Sequence, residues 1–244
     1  MSNEIQKITI APNESVYRHD THTTIEHTEY YLEQNSSLVF IHEWYLEETI
    51  NFNNTMHFFL QPGSSLKYVP VIKGGKTVTL NITVTLFGNS HAHVTGAYAL
   101  KAQQHYFINT RQEHRGKKAT SILKINGTAA DQSVMHYQGT IAIEHEASDT
   151  NASQENKTIL LSDEAKAISI PALEVKTNEV QCAHGSAIGP LSSQSLWYAQ
   201  SRGISIEKAR YLLLAGFFGN TLEVSDHDLK TDLIHQMILP LKDV

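Results

Sequence analysis

From Ile5 to about Val180 apolar and polar residues alternate, most regularly at Val78, Leu80, Ile82, Val84 and Leu86, with Thr79, Asn81, Thr83 and Thr85 between them. A period of two puts the apolar set on one face, so this run predicts a half-buried strand with a threonine outer face. Shorter alternations at Lys7 to Ile10, Ser37 to Ile41, Met135 to Ile143 and Ile168 with Ile170 predict further strands. Helical periodicity is nearly absent here. The SDTNASQEN stretch from Ser148 to Asn156 reads as an exposed polar loop, Ile159 to Asp163 as a tight turn, and Pro171 as a residue standing before the last strands.

The turns between the strands resemble one another. IAPNESV from Ile10, LEQNSSL from Leu32, LQPGSSL from Leu60 and LFGNSHA from Leu86 share a pattern. Each has an apolar residue, Asn or Gly three places on, then a small polar residue, then an apolar or small residue at the sixth place. Their starts are 22, 28 and 26 residues apart, a range in which stacked coils are to be suspected. A β-solenoid accounts for both features, because each coil buries its inner face only against a neighbour. An antiparallel sandwich also alternates strands and turns, and periodicity alone leaves both open.

Near Glu179 the period changes. Ser192 or Ser193 can cap a helix carrying Leu196, Trp197 and Tyr198, with Gly203 placed to end it. Ser205 can cap a second, with Ile206, Ala209, Leu212, Leu213, Gly216 and Phe217 on one face. A third starts near Ser225 or Asp226, presents Leu229, Leu233 and Met237, and stops before Pro240. The expected division is therefore a β core over 1–185 and a helical unit over 186–244. The apolar faces of the helices can close the open end of the solenoid, and their outer face can receive a partner.

At 244 residues and 41% hydrophobic, the chain is long enough for one substantial core. A formal net charge of -6 gives no general attraction to nucleic acid or anionic membranes, and the short basic run from Arg111 to Lys118 reads as a solvated turn. No apolar stretch reaches eighteen residues and no signal peptide is visible, so a soluble, cytoplasmic protein is expected. The fourteen histidines are scattered. The densest, His91 and His93, fail the cupin metal pattern, since Thr85 and Ala97 occupy the positions where a glycine and an acid are needed.

The chain holds one cysteine, Cys182, two places before His184 in a Cys-Ala-His-Gly run. Alternate residues of an extended chain face the same side, roughly 7 Å apart, so thiol and imidazole can share one soft metal. Taken alone, a free cysteine is more often a small buried hydrophobe and its histidine a hydrogen-bonded neighbour. One cysteine also cannot supply the thiolates an iron-sulfur cluster takes from a protein, so a second chain would have to contribute ligands.

An ordered set of segments spanning roughly 115 to 220 carries a resemblance. It comprises SILKING from Ser121, Tyr137-Gln-Gly139-Thr-Ile, NKTILLSD from Asn156, Pro171-Ala-Leu-Glu174, Cys182-Ala-His-Gly185 and Ser201-Arg-Gly-Ile204. In order and spacing these resemble the SufB/SufD family, the scaffold subunits of Suf iron-sulfur cluster assembly, and are closest to SufD. The resemblance implies a mainly β fold, a right-handed parallel β-helix followed by a small C-terminal α-helical domain. It also implies a non-enzymatic scaffold that pairs with SufB through its β-helix and docks the SufC ATPase through its helices. Carried over, His184 matches the SufD-type interface histidine and Cys182 the neighbouring thiol, as ligands of a transient iron-sulfur cluster or iron with no tightly bound cofactor. Leu196, Trp197, Tyr198, Arg202, Tyr211, Leu213, Phe217 and Phe218 fall in the ATPase-docking unit. SufB-type members carry a cysteine where Ala165 stands and a glutamate where Gly185 stands, and both departures favour SufD. The chain enters strand-like sequence almost at once, so the N-terminal helical region common in SufD is expected to be missing. Two other readings remain: a homodimeric scaffold joining Cys182 and His184 from both copies, and a β-helix carbohydrate-active or carbohydrate-binding protein.

Overall fold

The computed structural model describes residues 5–21 and 26–241. Strands β1 (Gln6–Ile10), β3 (His27–Leu32), β5 (Asn51–Leu60), β7 (Thr77–Leu86), β9 (His105–His114), β11 (Val134–Ile143) and β13 (Lys166–Val175) form one parallel sheet in that order. Strands β2 (Ser15–Thr21), β4 (Ser37–Leu46), β6 (Ser65–Gly74), β8 (His91–Leu100), β10 (Thr120–Ala129), β12 (Thr150–Leu160) and β14 (Val180–Pro190) form the second. Two strands make one coil, and each coil stacks on the one before it. The fold is a parallel β-solenoid, and the sandwich alternative falls.

Coil length explains the turn spacing. Gln6 pairs with Thr28, His27 with Thr55 and Asn51 with Thr77, offsets of 22, 28 and 26 residues. The third residue past each turn's apolar start, Asn13, Asn35, Gly63 and Asn89, is left-handed, with φ of 60°, 58°, 77° and 56°. Asn and Gly are the residues that enter this region at least cost, which is why they recur there. Each of these amides donates to a carbonyl of the next coil, at 2.9–3.2 Å. From Lys118 onward the geometry persists while its sequence mark fades: Lys118 and Asp149 take the same φ and donate to the Ser148 and Glu179 carbonyls.

Three local expectations are corrected. Residues 150–156 of the supposed polar loop belong to β12, and Ala152, Gln154 and Asn156 face the interior. Arg111 to His114 of the basic run end β9, with Gln112 and His114 buried; only the residues after them turn. Pro171 lies inside β13 rather than before it, which an edge strand tolerates. In each case polar or proline residues at inward positions hide the strand from a hydrophobic pattern.

The interior changes character along the axis. The early coils pack Tyr30, Phe40, Phe58 and Tyr68 ring on ring, with Tyr30 and Phe58 stacked at 5.1 Å. On the first coil, Arg18 and Asp20 stand at inward positions as an ion pair, and the Arg18 guanidinium lies over the Phe40 ring at 5.3 Å. The later coils mix polar groups into the core. Thr110 bonds Tyr137 at 2.7 Å, Asn156 donates to the Ile125 carbonyl at 2.6 Å, and His114 bonds Ser121 at 2.7 Å.

Three helices follow: α1 (Ser193–Ser201), α2 (Ile206–Thr221) and α3 (His227–Ile238), capped by Ser192, Ser205 and Asp226. They do not close an end of the solenoid. Leu214, Phe218, Leu222, Leu233, Met237 and Ile238 pack sideways on the outer face of the even-numbered sheet, against Ile41, Val69, Val71, Ala97, Ala99 and Ala130. Apolar residues at outward strand positions, small on β8, leave room for this seam. The buried line of α2 is Ala209, Leu214, Phe218 and Thr221, rotated from the expected one, and Leu212 is exposed. Lys73 fastens α3 by donating to the Gln236 carbonyl at 3.1 Å and its side-chain oxygen at 2.7 Å.

Candidate functional site

The last coil, β13 and β14, has no coil stacked on it, so its apolar residues stay in solvent. Ile168, Ile170, Leu173, Val175 and Ile188 are between 40% and 56% exposed. Each strand is hydrogen-bonded on one edge only, the other being the end of its sheet. A long, exposed, apolar sheet edge is a ready template for another chain.

Cys182 and His184 lie in β14. Cys182 pairs in register with Ala152 and His184 with Gln154, both buried and inward, so thiol and imidazole occupy the inward face of the end coil. Cys182 is half-buried against the small cluster of Ile141, Ile143, Ala147 and Ala152. His184 is exposed. Among the described residues, no group of three or more His, Cys, Asp or Glu is arranged to hold a metal. Two donors facing an uncovered end suit a site that another chain completes, and a soft thiolate with a borderline imidazole suits iron.

The positions that separate the two subtypes are now located. Ala165 is 5% exposed and packs on the main core at the start of the last coil. Gly185 points outward, and nothing lies within 4 Å of where its Cβ would stand.

The helical set divides. Trp197 is 70% and Tyr198 58% exposed, and the Arg202 guanidinium rests over the Tyr198 ring at 5.3 Å. Tyr211 is exposed, whereas Leu196, Leu213 and Phe217 are half-buried. Phe218 is fully buried in the seam with the solenoid, so it serves packing and offers no free surface. Sequence reasoning gave no site role to Gln154, Gly139 or Ser169: Gln154 lies beneath His184, Gly139 faces Gln154 across the interior, and Ser169 is an inward residue of β13 in the end coil itself. Gln154 was hidden in an apparent loop, and only the register against Leu123 and His184 reveals its inward position.

The sequence profile described as "SUF system FeS cluster assembly, SufBD core domain" matches residues 4–217. The chain belongs to the SufBD family. Among its SufBD relatives, an iron-sulfur cluster assembly SufBD family protein of Mycobacterium leprae is 28% identical over 195 residues, 76% of this chain and 49% of that protein. The iron-sulfur cluster assembly protein SufD of Bacillus subtilis is 29% identical over 148 residues, 60% of this chain and 34% of the relative. SufD of Escherichia coli is 26% identical over 129 residues, 52% and 28% of the two chains. The SufBD chain thus spans about half, or less, of the length of the curated relatives it matches. No helix among its described residues is long and apolar enough to cross a membrane.

Proposed function

We propose that this chain is a SufD-like scaffold subunit of iron-sulfur cluster assembly, without catalytic chemistry of its own, working in the cytoplasm. It pairs through β13 and β14 with a SufB partner and receives the SufC ATPase on the outer side of α1 and α2. The observation that carries this reading is the uncovered end coil, where Cys182 and His184 share the inward face. A nascent cluster is the cargo of such a site. Two donors hold it weakly until a second chain adds its own, and a neutral imidazole binds iron reversibly. Exposed Trp197 and Tyr198, braced by Arg202, have the composition of a protein-docking patch. Ala165 and Gly185, where SufB-type members carry cysteine and glutamate, favour the SufD side of the pair.

The test is anaerobic co-purification of the tagged chain with co-expressed SufB and SufC, measuring mass, stoichiometry, iron and sulfide together. A complex containing both partners is expected, with His184→Ala lowering its cluster content while leaving the assembly intact. Unchanged cluster content in the variant would remove His184 from the role. A second reading has its own support, because two unpaired apolar edges can meet in two copies of one chain. A stable homodimer that ignores SufB and loses iron on Cys182→Ser would favour it.

A further inference from the structure

Directly below His184 the interior holds an amide that nothing satisfies. Gln154 is 3% exposed, yet neither its side-chain nitrogen nor its oxygen has a hydrogen-bond partner. An unpaired buried carboxamide is costly, and natural interiors rarely keep one without a use. Here the surrounding structure is shaped to hold it. Gly139 on the facing strand β11 has no side chain, and a Cβ there would stand 2.1 Å from the Gln154 nitrogen. The amide therefore reaches across the solenoid and lies against the Gly139 backbone.

The position of this amide fixes what it faces. Gly139 pairs upward with Pro171 of β13, and Gln154 pairs upward with His184 of β14. Gln154 thus forms part of the floor of the end coil, its backbone one strand spacing of about 4.8 Å below that of His184. Ser169, at the inward position next to Pro171 on β13, also keeps its hydroxyl oxygen unpaired. Other buried polar atoms without partners are spread along the solenoid; what sets Gln154 apart is that both polar atoms of its amide lack one and that it pairs directly with His184.

We propose that Gln154 is a positioning residue of the His184 site: when the imidazole turns inward to hold a metal through one ring nitrogen, the Gln154 side-chain oxygen accepts the N–H of the other. This inference rests on His184 being a ligand. An imidazole bound to a metal keeps one N–H, and an oxygen acceptor for it fixes the ring's tautomer and orientation. The Gln154 nitrogen then remains as a donor toward Ser169 or a non-protein ligand of the metal. Gly139 acts through Gln154, by giving it room.

The test uses the assembled scaffold with its pairing partner in place and Co2+ as an optical probe under anaerobic conditions. Gln154→Met keeps the shape and removes both polar atoms. It should bind Co2+ at least about ten-fold more weakly, while its metal-free melting temperature equals or exceeds that of the parent, because an unsatisfied amide has been removed. Gln154→Glu, which retains an acceptor oxygen, should keep affinity within about three-fold of the parent. The rise in melting temperature on adding Co2+ should shrink in the Met variant only, a change that a purely structural role would not produce. Equal Co2+ affinity for parent and Gln154→Met overturns the inference. His184→Ala separates the two levels. If it leaves Co2+ binding untouched, the reading of the site itself fails; if it abolishes binding while Gln154→Met does not, only the role of Gln154 is lost.

Discussion

Two histidines are carried neutral inside the solenoid, and this couples stability to pH. Burial pushes His114 down to about 4 and, with Arg18 adding to it, His42 to about 3, where His42 sits against the Trp44 ring. In the unfolded chain both imidazoles take up protons near pH 6.5, so between that value and 4 the unfolded state binds more protons. Stability is full above about pH 6.5 and falls as pH drops through this window. Urea titrations at pH 7 and pH 4 should therefore show a loss that is smaller in His114→Gln, by on the order of 2–3 kcal/mol. Backbone crowding at Gly127 gives a second expectation. A Cβ there would stand 2.3 Å from the Tyr98 carbonyl oxygen, so Gly127→Ala should destabilise by about 1–3 kcal/mol in the same assay. The sequence revealed inward residues where they were apolar, as at Val78 to Leu86. It hid Gln112, His114, Gln154 and Asn156, whose polarity imitates a loop.

Among elements, helices and strands were legible to different degrees. Each helix carries its own cap, and Ser192, Ser205 and Asp226 each accept the amide three residues on, at 3.1, 3.3 and 3.0 Å. Such signals are local, which is why the helix limits could be read from the chain. Where the helices pack is not local. Their seat depends on outward strand residues such as Ile41, Val69 and Ala97, drawn together from coils far apart in sequence. Nothing in the helical segment alone separates closing an end from lying along a side. Phe218 is the centre of that seat, and Phe218→Ala should cost about 3–5 kcal/mol. Limited proteolysis should then release the helical segment while the coils persist. Trp197→Ala, on the exposed side, should leave melting unchanged and weaken only ATPase binding.

For the whole molecule, the turn repeat disclosed the architecture because each coil meets the same problem and answers it with the same left-handed residue. The repeat did not disclose that the two termini of the stack differ. One finishes in apolar strands open to solvent, while the other carries an ion pair at inward positions and a guanidinium laid over aromatic rings. A rod of identical coils with two bare ends would add copies without limit, head to tail, as fibres grow. Arg18 and Asp20 give an incoming strand charge where it needs an apolar surface. Among the described residues, a strand that stacks on this solenoid therefore meets an apolar coil at β13 and β14 and a charged pair at β2.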